Sequence, residues 1–410
     1  MSSFKNFIKN LLHKISMIQE ISGLAEVKAS LYEILKRGRL SHAYLFHGVE
    51  GTAALPMLWG FLHLLFCEAK TDEGLSCGQC VSCRKIAKWI HSDVHVFPPL
   101  PHIKGGGKQA IQRQTAQYAE LWRRFIRSHP YGSYENWFSF LQSELGTNLG
   151  ALSVGRREID GLLSVASLSP YEGKYTCLVI WLPEYLHHAS LNALLKTVED
   201  PPSRTLFFFV SQKPEQIPPT LYSRFQPVSI RPFTRSELVQ ELVKRENIDP
   251  TRAEEIAGLS SGRYTQATHL LNMEEEAPQQ NRSSHPNVYN WLRTCWKGDY
   301  VELHGQSEWF QKQSLLQQQG FFFLALHLLR EVLLSQAGAD SLFCFPGNLH
   351  VFAVNLSKTL SHTDMIKLYQ VLQDVLRHLE QHAESRLLFL DSSLKVVSIF
   401  NRTRQVHQSR

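Results

Sequence analysis

Two runs of consecutive apolar residues, Thr176-Cys-Leu-Val-Ile-Trp181 and Thr205-Leu-Phe-Phe-Phe-Val210, constrain the fold more than any other feature of this chain. A strand with one face in water alternates apolar and polar residues. These runs do not alternate, so both faces must be covered, the condition of a parallel sheet between two layers of helix. The neighbouring segments keep the same rhythm. Ala43–His47 reads as a further strand, and Ala53–Phe66 and Leu191–Val198 read as helices, the second stopped by Pro201-Pro202. The expected fold is therefore an α/β domain, a parallel sheet with helices on both faces.

Residues 98–153 break that rhythm. They open with Pro98, Pro99, Pro101 and Gly105 to Gly107 and continue with helical, aromatic-rich text such as Leu121-Trp-Arg-Arg-Phe-Ile126, the mark of an insertion. The mild basicity of Lys104–Arg127 is read as a solvated face in preference to a DNA or partner contact. No strand pattern recurs after Pro232. A length of 410 residues exceeds what one hydrophobic core supports. The expected organisation is an α/β domain over 1–231, carrying a cysteine module at 67–83 and the insertion at about 98–153. An all-α lid follows over 232–275, then a polar linker at 276–287 and an all-α C-terminal domain over 288–402.

The first twenty residues place Phe4, Phe7, Ile8, Leu11, Leu12 and Ile15 on one helical face. Lys9, Asn10, His13 and Lys14 interrupt any secretory apolar core, so a docking helix is expected here and not a signal peptide or membrane anchor. The sequence has no apolar run of about 18 residues, so no membrane contact is expected. A net charge of +6 favours approach to a polyanion without deciding a function.

Four of the seven cysteines fall in the pattern Cys67-x9-Cys77-x2-Cys80-x2-Cys83, while Cys177, Cys295 and Cys344 stand alone among apolar residues. Four soft thiolates surround one ion tetrahedrally, the closed donor set of structural zinc, so Zn2+ held by Cys67, Cys77, Cys80 and Cys83 is the expected cofactor. An iron–sulfur cluster accepts the same donors. The bacterial cluster pattern, however, continues Cys-x3-Cys-Pro, whereas Cys83 is followed by Arg84-Lys-Ile-Ala-Lys88. Disulfides and a bare thiol cluster are the remaining, weaker readings.

Gly48-Val-Glu-Gly-Thr-Ala-Ala-Leu55 stands between an expected strand and an expected helix, where a phosphate-binding loop belongs. A working loop ends in glycine, lysine and serine or threonine, which admit the phosphates, neutralise charge and hold magnesium. Here those positions are Ala53, Ala54 and Leu55. The partner strand should end in an acidic residue, but it ends in Trp181-Leu-Pro, with Glu184 three residues further on. No ATP hydrolysis is expected from this chain alone. No nucleotide cofactor is expected at the vestigial loop marked by Gly48, Gly51 and Ala54, although amides at a helix start still accept an anion. Gly105-Gly-Gly-Lys-Gln109 lacks a preceding strand and reads as a flexible loop.

Five motifs in order complete the picture: Ser41-His-Ala-Tyr-Leu-Phe46, the four cysteines, Ser169-Pro-Tyr-Glu-Gly-Lys-Tyr175, Leu191–Pro202 and Pro219-Thr-Leu-Tyr-Ser-Arg-Phe225. Over roughly residues 20–270 they resemble the clamp-loader branch of AAA+ proteins, and the two lost features resemble those of its non-hydrolysing members. The resemblance implies an AAA+ domain, a helical lid and a helical collar for oligomerisation. It implies assembly with an ATPase subunit and a clamp-opening subunit in a cytoplasmic hetero-pentamer of the bacterial replicative polymerase. Such a pentamer loads the sliding clamp on primer-template DNA, contacting the clamp mainly through those partners.

Ser223-Arg224-Phe225 matches the family's Ser-Arg-Cys motif with phenylalanine last. The resemblance makes Arg224 an arginine finger acting in trans on a neighbour's ATP site. It also equates Ser211-Gln212 with the first sensor and places Gln266 where an active subunit often carries a second-sensor arginine. Two other readings stand beside this one: an autonomous AAA+ ATPase with a divergent site, and a zinc-dependent DNA-binding module.

Overall fold

The computed structural model describes residues 18–101, 108–146, 149–275, 288–313, 315–339, 348–381 and 383–408. The expected docking helix, apart from a single 3-10 turn at Ile18–Glu20, and the linker at 276–287 lie outside these residues. The chain divides into two compact units, Met1–Glu241 with Gly262–Thr265, and Leu242–Ser261 with Gln266–Arg410.

The first unit runs α1 (Ala25–Arg37), β1 (Ala43–His47), α2 (Ala54–Phe66), α3 (Val81–Ala87), β2 (Val94–Phe97), β3 (Leu100–Pro101), α4 (Lys108–Ser128), α5 (Tyr134–Leu145), β4 (Leu152–Ser153), α6 (Arg156–Ala166), β5 (Thr176–Trp181), α7 (His188–Glu199), β6 (Thr205–Ser211), α8 (Pro219–Tyr222), β7 (Gln226–Ser229) and the start of α9 (Arg235–Glu246). Five strands form a parallel sheet in the order β2-β5-β6-β1-β7, with Leu45 opposite Phe209 and Leu178 opposite Phe207.

The unalternating runs are explained by what covers each face. Phe207 and Phe209 join Ala43, Leu45, Leu178 and Ile180 beneath Ile159 and Leu162 of α6 and Leu194 and Val198 of α7. Phe208, between them in sequence, points the other way and stacks on Tyr44 at 5.6 Å and against Phe61 of α2 at 6.1 Å. Helix α2 is itself buried almost all round, and Ile18 covers its outer side so closely that a Cβ on Gly60 would come within 2.7 Å.

The insertion leaves and returns through a two-stranded antiparallel ribbon, with Leu100 opposite Ser153 and Pro101 opposite Leu152. Of the glycine string read as a loop, Lys108 and Gln109 instead open α4, and the rest lies outside the described residues. Helix α5 starts on a reciprocal cap: Asn136 N–H donates to Ser133 Oγ at 3.2 Å, and Ser133 N–H donates to Asn136 Oδ1 at 2.9 Å. Two basic residues of α4 form ion pairs, Arg123 with Glu120 and Arg124 with Glu144 of α5 at 2.6 Å.

In the second unit the remainder of α9 is followed by α10 (Pro250–Leu259), α11 (Tyr264–Glu275), α12 (Val288–Lys297), α13 (Tyr300–Gln311), α14 (Leu315–Gln336), α15 (Asn348–Thr359), α16 (His362–Glu380) and α17 (Ser385–Gln408). The last helix continues past the expected boundary at 402. An aromatic core of Trp291, Phe310, Phe321, Phe322 and Phe389 holds this unit, and Trp291 Nε1 donates to Ser393 Oγ at 2.8 Å. Among the described residues no helix is long and apolar enough to cross a membrane.

Candidate functional site

Ligands of open parallel sheets settle beyond the carboxyl ends of the strands, where the strand order reverses. In this sheet that place is the end of β1, between β6 and β7. The loop there begins with Gly48, whose N–H donates to Ser211 O at 3.2 Å. Gly51 has φ of 80°, its carbonyl accepts from Tyr264 N–H at 2.9 Å, and a Cβ on it would lie 3.1 Å from the Thr265 nitrogen. Only glycine meets both demands. Ala53, Ala54 and Leu55 are buried where a phosphate loop would present its cation and metal ligand.

The second half of the site has changed in kind. Trp181 at the end of β5 is fully buried, with its ring centroid 4.8 Å from Trp122 and 6.0 Å from Phe125 of the insertion. Glu184 is engaged by backbone: its Oε1 accepts the N–H groups of Gln212 at 2.9 Å and Lys213 at 3.2 Å, fixing the loop after β6. Its other oxygen is buried without a hydrogen-bond partner, and burial raises its carboxyl above the usual range.

Glu50, which the sequence reading passed over, sits inside the emptied loop. Burial first, and then the nearby Glu135 carboxylate, push its carboxyl up to about 7, against the opposing influence of the Ser133 hydroxyl, Arg263 and Lys213. Glu184, Tyr134 and Tyr185 belong to the same neighbourhood, since both carboxylates and Glu135 bear on Tyr185. An acidic residue in the glycine-marked loop after β1 was the one signal in the sequence, and Arg263 and Lys213 are the cations that act on it.

Because the folded state holds the Glu50 proton more tightly than the unfolded chain, stability falls as pH rises from 4.5 to about 7. Glu50→Gln should therefore stabilise the protein at pH 8 by on the order of 1–2 kcal/mol, and leave it nearly unchanged at pH 4. Urea midpoints at the two pH values measure this, and equal effects at both would refute it.

The four cysteines converge. Cys67 caps the end of α2, Cys77 and Cys80 lie in the following loop, and Cys83 is in the first turn of α3. Their four Sγ atoms all lie within 4.8 Å of one another. A tetrahedral ion with zinc–sulfur bonds of about 2.3 Å sets its ligands about 3.8 Å apart, so the donor set fits. Gly78, with φ of 69°, makes the tight turn between Cys77 and Cys80. Backbone amides point at the sulfurs: Cys77 N–H at Cys67 Sγ (3.2 Å), Cys80 N–H at Cys77 Sγ (3.3 Å) and Cys83 N–H at Cys80 Sγ (3.4 Å).

Burial alone would raise the Cys77 thiol, but the amides of Cys80 and Gln79 and its neighbouring thiols outweigh it and bring it down to about 7. Burial holds Cys67 and Cys83 above the ordinary thiol range. Four adjacent thiolates therefore need a cation to coexist. Cys177 and Cys295 are buried and free, and Cys344 lies outside the described residues.

Arg224 follows the single turn of α8. Leu221 and Phe225 on either side of it are buried, Phe225 with its ring 4.3 Å from Phe209 of β6, so phenylalanine at the motif's last position serves packing. Arg224 remains 32% exposed and pairs with Glu199 at the end of α7 and with the Thr220 carbonyl. Exposed pairs of this type contribute little to stability.

Fold and site together define a parallel-sheet α/β protein with a glycine-marked loop after β1, four convergent cysteines beside it and a helical C-terminal part. Residues 23–234 match the family described as DNA polymerase III, delta subunit, and the chain belongs to that family. Within it the likeness is to delta′ subunits. The chain is 22% identical over 312 residues to DNA polymerase III subunit delta′ of Bacillus subtilis, covering 76% of this chain and 77% of that protein. It is 28% identical over 189 residues to the delta′ subunit of Yersinia pestis, covering 46% and 41%. It is also 24% identical over 259 residues to subunit tau of Bacillus subtilis, covering 62% and 37%. The chain thus spans less than half the length of the latter two relatives.

Proposed function

We propose that this chain is a non-hydrolysing, delta′-like subunit of a bacterial clamp loader, cytoplasmic and part of the DNA polymerase III holoenzyme. The observation that carries the reading is the pairing of two losses with one retention. Ala53, Ala54 and Leu55 replace the phosphate and magnesium ligands, Trp181 replaces the acidic strand end, and Arg224 stays at the surface. In this reading the chain joins an ATPase subunit and a clamp-opening subunit in an AAA+ hetero-pentamer. Arg224 reaches the neighbour's ATP site, and the assembled complex loads the clamp on primed DNA. Cys67, Cys77, Cys80 and Cys83 hold one structural Zn2+, which organises the loop between α2 and α3 and takes no part in chemistry. The helices after 288 form the collar.

Native mass spectrometry with candidate loader subunits tests the assembly, with one hetero-oligomer containing this chain as the expected result. An ATP turnover assay on the purified chain tests the chemistry: the expected rate is that of the blank. Hydrolysis abolished by Gly48→Ala or Glu184→Gln would overturn the proposal in favour of an autonomous ATPase.

A further inference from the structure

The insertion has a place in the molecule that the reading above does not use. Its turn between α4 and α5 lies in the crevice at the carboxyl ends of the strands. Tyr131 is 3% exposed and Ser133 is fully buried there. The Tyr131 ring stacks on Tyr264 at 4.3 Å and meets Phe233 edge-on at 5.9 Å. Its hydroxyl donates to Glu241 Oε1 at 2.7 Å, and its carbonyl accepts from Thr265 Oγ1 at 2.7 Å.

The next residues continue along the strand ends. Gly132 O accepts from Gln212 Nε2, at the end of β6, at 3.0 Å. The Tyr134 ring stacks on Tyr185, just beyond β5, at 4.2 Å and 12°. The Ser133 hydroxyl lies near enough to Glu50, in the loop after β1, to hold its carboxyl down against burial. One short segment thus engages the loop after β1, the ends of β5 and β6 and the first residues of α11. Those are the parts that would surround a nucleotide in a sheet of this topology.

We infer that the insertion is a built-in plug: the Tyr131–Tyr134 turn occupies the former nucleotide crevice, a tyrosine ring taking the slot a planar base would fill. Loss of catalysis and acquisition of the plug are then one structural event, because Trp181, which stands where the acid was lost, is the surface on which Trp122 and Phe125 dock. The inference rests on reading Gly48–Leu55 as a former phosphate cradle, but not on which complex the chain joins. It implies that restoring the loop's ligands would not restore binding. A plug closed in about 99% of molecules weakens apparent affinity about 100-fold.

The test uses the full chain and a fluorescent ATP analogue with Mg2+. In the triple variant Ala53→Gly, Ala54→Lys, Leu55→Thr, no saturable binding is expected at micromolar concentrations. Adding Tyr131→Ala and Tyr134→Ala should tighten binding about 100-fold. Equal, tight binding by both variants would overturn the plug. Two folded variants that both fail to bind would overturn the cradle reading on which it rests. Should the triple variant not fold, hydrogen exchange on the unaltered chain decides. Amides of residues 131–133 protected like those of β1, with or without millimolar MgATP, support the plug, and fast exchange that ATP slows at Gly51–Thr52 overturns it.

Discussion

Arg224→Ala in a reconstituted loader is expected to lower ATP turnover at the neighbouring site that this chain serves by roughly 10³-fold or more, the scale of an arginine finger. The physical reason lies in where the transition state is charged. The transferring phosphoryl group spreads negative charge over its equatorial oxygens, and a guanidinium brought to them stabilises that charge more than it stabilises bound ATP. The fold should not register the change, since Arg224 is held at the surface by a pair with Glu199, the Thr220 carbonyl and the Ser223 hydroxyl. Melting temperature and assembly should stay as they were. Arg224→Lys should recover little, because a point charge cannot reproduce the planar fork. The measurement needs a complex in which only the served site is competent to hydrolyse ATP; an unchanged rate there would leave Arg224 without a role in trans.

Removing a zinc ligand should have a comparably large effect on stability. Protein purified without added metal is expected to carry about one zinc ion per chain, the capacity of one four-thiolate site. Cys80→Ala should abolish it, leaving three thiols that cannot close the shell. An ion held by the four cysteines would link α2 to α3 across residues 67–83, and closing a loop of about 15 residues is worth about 3 kcal/mol. Both Cys80→Ala and strong chelation should therefore cost at least about 3 kcal/mol and speed amide exchange between Cys67 and Cys83. Elemental analysis that finds iron, or no metal in stable protein, would dismiss the assignment.

The parts of this molecule that could be read before its structure are those whose causes are local. Strands β5 and β6 were visible because two-sided burial leaves an uninterrupted apolar run, and the cysteine centre because its four donors lie within one short loop. Arg224 is singled out only by the motif around it, since nothing in its own surroundings distinguishes it from any surface arginine. What escaped was the packing of the 131–134 turn against the strand ends and the start of α11. Tyr131, Gly132 and Ser133 meet Tyr264, Gln212 and the surroundings of Glu50 over sequence gaps of about 80 residues or more, and no periodicity records such a meeting. Trp181 shows the same limit: in sequence it is a missing acid, while in the fold it is a packing surface.

The narrow β3–β4 ribbon has a consequence for how this molecule came to be assembled. Because the excursion begins and ends at paired residues, its two ends are about one strand spacing apart, near 4.8 Å. A segment with that footprint can be gained or excised as a cassette without shifting a single rung of the parent sheet. A bridged deletion joining Pro99 to Val154 should accordingly keep the five-stranded register, while baring a groove lined by indole and tyrosine rings.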